Sequence, residues 1–167
     1  MIIAANSAQS PVDRFCVLAL RRGLSLGVLH SSNRDDFVLL LSAAAAAFRP
    51  DRTYSEREVN DVLRTWLANA GSMLDVDHVE LRRWLVDNRL LDRDGFGRAY
   101  ATGHPAPEMA AVVAALSGVD LGQAAEAARI DDAKAREQRK RLWLEGEKTG
   151  SAPPAGAQDR KSGAFGG

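Results

Sequence analysis

The first clear signal along the chain is the run Phe37–Phe48, "FVLLLSAAAAAF", apolar except at Ser42 and rich in strong helix formers. Asp35 or Asp36 offers an acidic cap before it and Pro50 stops it, so a deeply buried helix is predicted there. The pattern then becomes amphipathic. In "YSEREVNDVLRTWLANA", Ser55 and Glu58 have the spacing of a reciprocal capping box. Val59, Val62, Leu63, Trp66 and Leu67 recur at helical spacing up to Gly71. Asp77 and Glu80 repeat the box at the head of "HVELRRWLVDNRLL", where Leu81, Trp84, Leu85 and Asn88 are predicted to face the core. At "LLDRDGFGRAYAT" the period shortens to that of two strands around the turn Asp94-Gly95-Phe96-Gly97, a β hairpin.

Three helices followed by a hairpin is the order of a winged helix, in which a helix-turn-helix pair precedes a β wing. The fold class expected is therefore mainly α with a small β hairpin, a winged-helix-like domain at 34–103 followed by extra C-terminal helices at 104–148. Residues 1–33 carry mixed signals, an apolar run broken by Gly23 and Gly27, and remain unassigned. From Thr149 to Gly167, 13 of 19 residues are Gly, Ala, Ser or Pro, too few apolar side chains to build a core, and a disordered tail is expected.

The residues of the central segment resemble the bacterial domain of unknown function DUF2087. The resemblance is carried by three blocks: Tyr54, Glu56, Glu58, Val59 and Asn60; Asp77, His78, Leu81, Arg82, Arg83, Leu85, Val86 and Asp87; and Leu91, Arg93, Gly97 and Tyr100. It covers roughly Arg34 to Tyr100. It implies association with helix-turn-helix regulators, and attaches no reaction to the chain.

Beyond Tyr100, Pro107 in a first turn and Gly118 past an end bracket another helix. The following "LGQAAEAARIDDAKAREQRKRLWLEG" reads in two ways. Ala125 and Ile130 suit a second helix-turn-helix with its turn near Ile130–Asp132 and a last helix closing at Gly146, whereas Arg129 and Gln138 suit one long Ala-rich helix with a charged face.

Composition narrows the function more by exclusion than by assertion. The 167 residues carry 22 Lys+Arg and 22 Asp+Glu, so no global field announces a polyanionic partner, and any such binding must be local. The longest apolar run, 12 residues, falls short of the ~20 that span a bilayer. No basic stretch and cleavage site mark the N-terminus as a signal peptide, and Cys16 stands alone in an apolar run, so a cytoplasmic protein with no membrane partner is expected. The three histidines have no metal-ligand spacing, Glu58 is employed by its capping box, and Gly95 and Gly97 are explained by a turn. No enzyme, no cofactor, no metal and no small-molecule substrate is expected.

What remains is binding. Residues 34–103 hold 10 basic and 12 acidic residues, a net charge of −2, so placement decides. Arg83 has Glu80 and Asp87 at helical reach and is expected to be neutralised by them. Arg82 has His78 and Val86 there instead, so His78, Arg82 and Arg89 are predicted to form the edge available to a phosphate or base, with Arg93 and Arg98 of the hairpin as backbone contacts. "KAREQRKR" adds Lys134, Arg136, Arg139, Lys140 and Arg141, five positive charges against one negative. The expected function is a DNA-binding transcriptional regulator, acting as a homodimer because one small module makes few contacts. The competing reading is a protein-interaction or self-association module using the basic C-terminal helix and the apolar Leu142-Trp143-Leu144.

Overall fold

The computed structural model describes residues 9–150, so the expected tail from 151 onward and residues 1–8 lie outside the described residues. One compact unit runs to Asp132 and a second begins at Ala133. Helices α1 (Pro11–Ala19), α2 (Leu26–Ser32) and α3 (Arg34–Ala45) precede a two-residue strand β1 (Tyr54–Ser55). Helices α4 (Glu56–Ala68) and α5 (His78–Asp87), strands β2 (Leu91–Arg93) and β3 (Ala99–Thr102), and helices α6 (Pro107–Leu116) and α7 (Leu121–Lys148) follow.

The hub is α3. From Asp36 to Ala45 every side chain is buried, because an Ala- and Leu-rich cylinder presents no polar face and is stable only when covered all round. Helices α1, α2, α5 and α6 cover it. The residue that caps α3 is Asn33, not Asp35 or Asp36: its side-chain oxygen accepts the Asp36 amide at 3.2 Å. Asp36, one turn in and 3% exposed, receives both arms of Arg14 at 2.9 and 2.7 Å. A bidentate guanidinium is the partner that a buried carboxylate requires.

Residues 1–33, unassigned by pattern, supply two short helices. Ser10 caps α1 with Pro11 at its first turn, and Ser25 caps α2. Gly23, at φ +70°, breaks the chain between them. Leu24 then pairs with the α4–α5 loop, donating to the Met73 carbonyl at 2.9 Å and accepting from the Asp75 amide at 2.8 Å. The loop is thus braced by the N-terminal segment.

The capping box at α4 is complete in both directions, Ser55 to Glu58. At α5 only half of the expected box forms. Asp77 accepts the Glu80 amide at 2.7 Å, while the Glu80 carboxylate turns to the Trp84 indole N–H at 3.4 Å. Leu81 and Leu85 are fully buried as expected; Trp84, half-buried, packs on His30 and Phe37.

The sheet has the order β1-β3-β2, all antiparallel, with Tyr54 opposite Tyr100 and Arg93 opposite Tyr100 on the other side. The pattern along the chain missed β1, which is too short to show a period. With it, α3, β1, α4, α5, β2 and β3 give helix, strand, helix, helix and a two-stranded wing, the full winged-helix order. Helix α6 packs on α3, and Leu121 and Ala125 of α7 are buried in the same core, so the first unit extends well beyond the wing.

The second helix-turn-helix is absent. Residues Ile130–Asp132 are helical and α7 runs without a turn through Gly146 to Lys148. No glycine or proline lies between Gln123 and Glu145, and Arg129 is held by the Ala19 carbonyl at 3.3 Å and the Ser72 hydroxyl at 2.8 Å. In the second unit, the helical residues from Ala133 to Lys148 are all exposed.

Candidate nucleic-acid interface

Helices α4 and α5 meet along a polar seam. On α4, Glu56, Asn60 and Arg64 recur every four residues and share a face; on α5, His78 and Arg82 do the same. The two rows interlock. Arg82 Nη1 donates to Glu56 Oε1 at 2.9 Å and to Asn60 Oδ1 at 2.6 Å, and its guanidinium carbon lies 6.0 Å from the Tyr100 ring centre. Arg64 Nη2 lies 3.2 Å from His78 Nε2, and since a guanidinium only donates, the imidazole nitrogen accepts.

The expected binding edge is thus engaged within the protein: Arg82 and His78 tie the helix pair together, and the Arg82 side chain is only 16% exposed. Its partners lie 22 and 26 residues away on another helix, invisible to spacing within α5.

Arg83 corrects the other half of the expectation. It is exposed, and no ion pair joins it to Glu80 or Asp87 among the described residues. The two adjacent arginines exchange the roles that a helical wheel assigns them: Arg82 is structural, and Arg83 stands exposed on α5, its charge felt by the Asp77 cap but closed into no ion pair among the described residues.

Between that face and the hairpin runs a groove of about 570 Å3, lined by Arg82, Arg83 and Arg89 on one side and Arg93 and Asp94 on the other, with Tyr100 at its floor. Of the predicted contacts, Arg82, Arg89 and Arg93 share this groove, and Arg83 joins them. Its acids are Asp87, Asp92 and Asp94. Asp94 is occupied by the wing turn, where it accepts the Arg98 amide at 2.7 Å, and backbone amides of Arg98, Ala99, Phe96 and Gly97 hold its carboxyl below the usual carboxylate range. Asp92 faces His104 at 3.9 Å.

Arg89 occupies an unusual backbone position. Helix α5 ends with Leu90 donating to the Leu85 carbonyl at 2.9 Å and Arg89 to the Val86 carbonyl at 3.0 Å, the closing pattern that places one residue in the left-handed region. That residue is Arg89, at φ +59°, where glycine is the usual occupant. The strained conformation turns a guanidinium into the groove wall.

Arg98 lies at the wing, exposed and with no ion pair among the described residues. The other predicted contacts, Lys134, Arg136, Arg139, Lys140 and Arg141, belong to the second unit, where all five are exposed.

Among the described residues no group of three or more His, Cys, Asp or Glu side chains could hold a metal ion, and no helix is long and apolar enough to cross a membrane. Cys16 is half-buried, its thiol directed at the Ala124 carbonyl at 3.7 Å, and burial, with Asp13 nearby, pushes its pKa up, away from a nucleophile's thiolate.

Residues 30–102 match the model of the DUF2087 family, described as an uncharacterized protein conserved in bacteria. The match begins at the end of α2 and closes with β3, so the family segment and the winged-helix core coincide. No curated protein and no solved structure matches the chain.

Proposed function

We propose that the protein is a DNA-binding transcriptional regulator of the bacterial cytoplasm, with α5 entering the major groove and the β2–β3 wing lying along the adjacent backbone. The observation that carries this reading is the groove between α5 and the wing, in which Arg83, Arg89 and Arg93 form no ion pair among the described residues. A helix fits the ~12 Å major groove, and a guanidinium presents two parallel donors that match guanine O6 and N7. Arg83, at the middle of the outer face of α5, has the base-reading role; Arg89, Arg93 and Arg98 contact phosphates. Asp87, one turn beyond Arg83, repels the backbone, so it favours one docking register, in which its carboxylate faces a base-edge donor such as cytosine N4.

Three phosphate contacts on a domain of slight negative charge make a weak site. Two features offset this. A second copy doubles the contacts, and the five basic residues of Lys134–Arg141 add sequence-independent attraction. An electrophoretic mobility shift of the full chain on random duplex DNA at low salt tests the proposal, with Arg83→Ala expected to weaken the shift and Arg82→Lys, outside the base-reading set, to retain it.

A second reading has its own observation. Leu142, Trp143 and Leu144 of the second unit are 60%, 62% and 43% exposed, an apolar cluster suited to a second copy of the chain or another protein. Light scattering that shows a mass change on truncation after Asp132, together with no DNA binding, favours it.

A further inference from the structure

Phe96 sits at the tip of the wing with 86% of its surface exposed, the most exposed large apolar side chain among the described residues. It adds no burial to the fold. An exposed phenyl ring on a slack loop would mean little, but this turn is rigidly built. Asp94 donates its amide to the Ala99 carbonyl at 2.9 Å, Gly97 donates to the Asp94 carbonyl at 3.0 Å, and the Asp94 side chain accepts the Arg98 amide at 2.7 Å. Gly97 takes the left-handed conformation at φ +68°, and a Cβ placed there would meet the Arg93 guanidinium at 3.6 Å. The ring is therefore held away from the protein by a preorganised turn, between Arg93 and Arg98, which form no ion pair among the described residues.

An apolar plate flanked by two unspent cations suits a partner that is polyanionic outside and aromatic inside. Duplex DNA has that composition: phosphates for the arginines, and the π-faces of a base step for the ring. A protein or membrane surface offers the apolar half of this match without the regular spacing of charge.

Resting on the DNA-binding reading above, we propose that Phe96 is a wedge that enters the minor groove and partly unstacks a base step beside the site read by α5. Flexible pyrimidine–purine steps, which unstack most readily, are the expected targets. The wing then contributes to site choice through deformability, without a hydrogen bond to any base.

The test uses the full chain and a duplex rich in TA steps, with 2-aminopurine replacing one adenine, because this base brightens when unstacked. Wild type is expected to bind with a saturating rise in fluorescence. Phe96→Ala is expected to bind about threefold to tenfold more weakly with the rise abolished, Phe96→Trp to keep the rise, and all three to share one salt dependence, since the ring touches no phosphate. An equal rise with Phe96→Ala, or binding by wild type with no rise, overturns the wedge and leaves the DNA-binding reading standing. Failure of wild type to bind any duplex at low salt overturns both.

Discussion

Arg82 Nη1 lies 2.6 Å from Asn60 Oδ1, and this contact, with Glu56 at 2.9 Å, fastens the second helix of the helix-turn-helix pair to the first. Its neighbour Arg83 forms no ion pair among the described residues. The two residues therefore separate stability from binding within a single dipeptide.

Truncation of Arg82 to Ala removes a shared donor and strands the half-buried Asn60 amide oxygen. Urea denaturation is expected to show a loss of about 1–3 kcal/mol, the range for leaving a partly buried polar group without its charged partner. Arg83→Ala, on the exposed face, is expected to stay within about 0.5 kcal/mol of wild type. Equal losses would mean that the seam contributes nothing.

Arg89 is a position where fold and proposed function conflict. At φ +59° a side chain costs about 1 kcal/mol relative to glycine, part of which glycine returns through the entropy of the unfolded chain. Arg89→Gly is expected to raise the melting temperature by a few degrees, corresponding to about 0.5–1 kcal/mol, while weakening DNA binding. Calorimetry and binding measured on the same preparation check both signs.

Gly103 and Gly95 bracket the wing and should respond in opposite ways to alanine. A Cβ at Gly103 would run into the Arg89 carbonyl oxygen at the base of the hairpin, where Gly103 also donates to the Leu90 carbonyl at 3.0 Å. A Cβ at Gly95 would meet nothing within 4 Å. Gly103→Ala is expected to cost about 1–3 kcal/mol, as overpacking does, and Gly95→Ala to be near neutral in thermal melts.

Stability should fall in acid through two helix starts. The Ser55 backbone amide, the Ser55 hydroxyl and Arg52 hold Glu58 below its ordinary range, and the Glu80 amide does the same for Asp77. A carboxyl with a lowered folded pKa binds protons more tightly in the unfolded chain. Its contribution is thus complete above the ordinary carboxylate range near pH 4 and disappears as the pH falls through the lower folded value. Urea midpoints measured from pH 6 to 2.5 should drop, and Glu58→Gln should flatten the drop.

Much of this fold was legible where physics is local. The Ser55–Glu58 box, the Asp77 cap, the Asp94–Gly97 turn, Pro107 and Gly118 all act within four residues, and each marks an element that forms. Ser10 with Pro11 and Asp13, and Ser25, are cap signals of the same kind at α1 and α2. They go unheard because helices of nine and seven residues are too short for periodicity to confirm them. The site was less legible for a different reason. Glu56 and Asn60 reach Arg82 only after α4 and α5 have packed, and a wheel drawn for one helix assigns charges to the wrong neighbours. Glu80, expected to neutralise Arg83, is drawn off by the Trp84 indole.

The proposed complex pairs Arg83 with a base and Arg89, Arg93 and Arg98 with phosphates. Fluorescence anisotropy of the full chain on a labelled duplex, titrated across salt concentration, tests it most directly. Each lost phosphate contact removes about 0.9 from the slope of log affinity against log salt. Replacing Arg89, Arg93 and Arg98 together by Ala is expected to reduce the slope by about 2.7, whereas Arg83→Ala, a base contact, lowers affinity with the slope nearly unchanged. A wild-type chain with no binding at low salt, or a triple variant with the wild-type slope, would contradict the account.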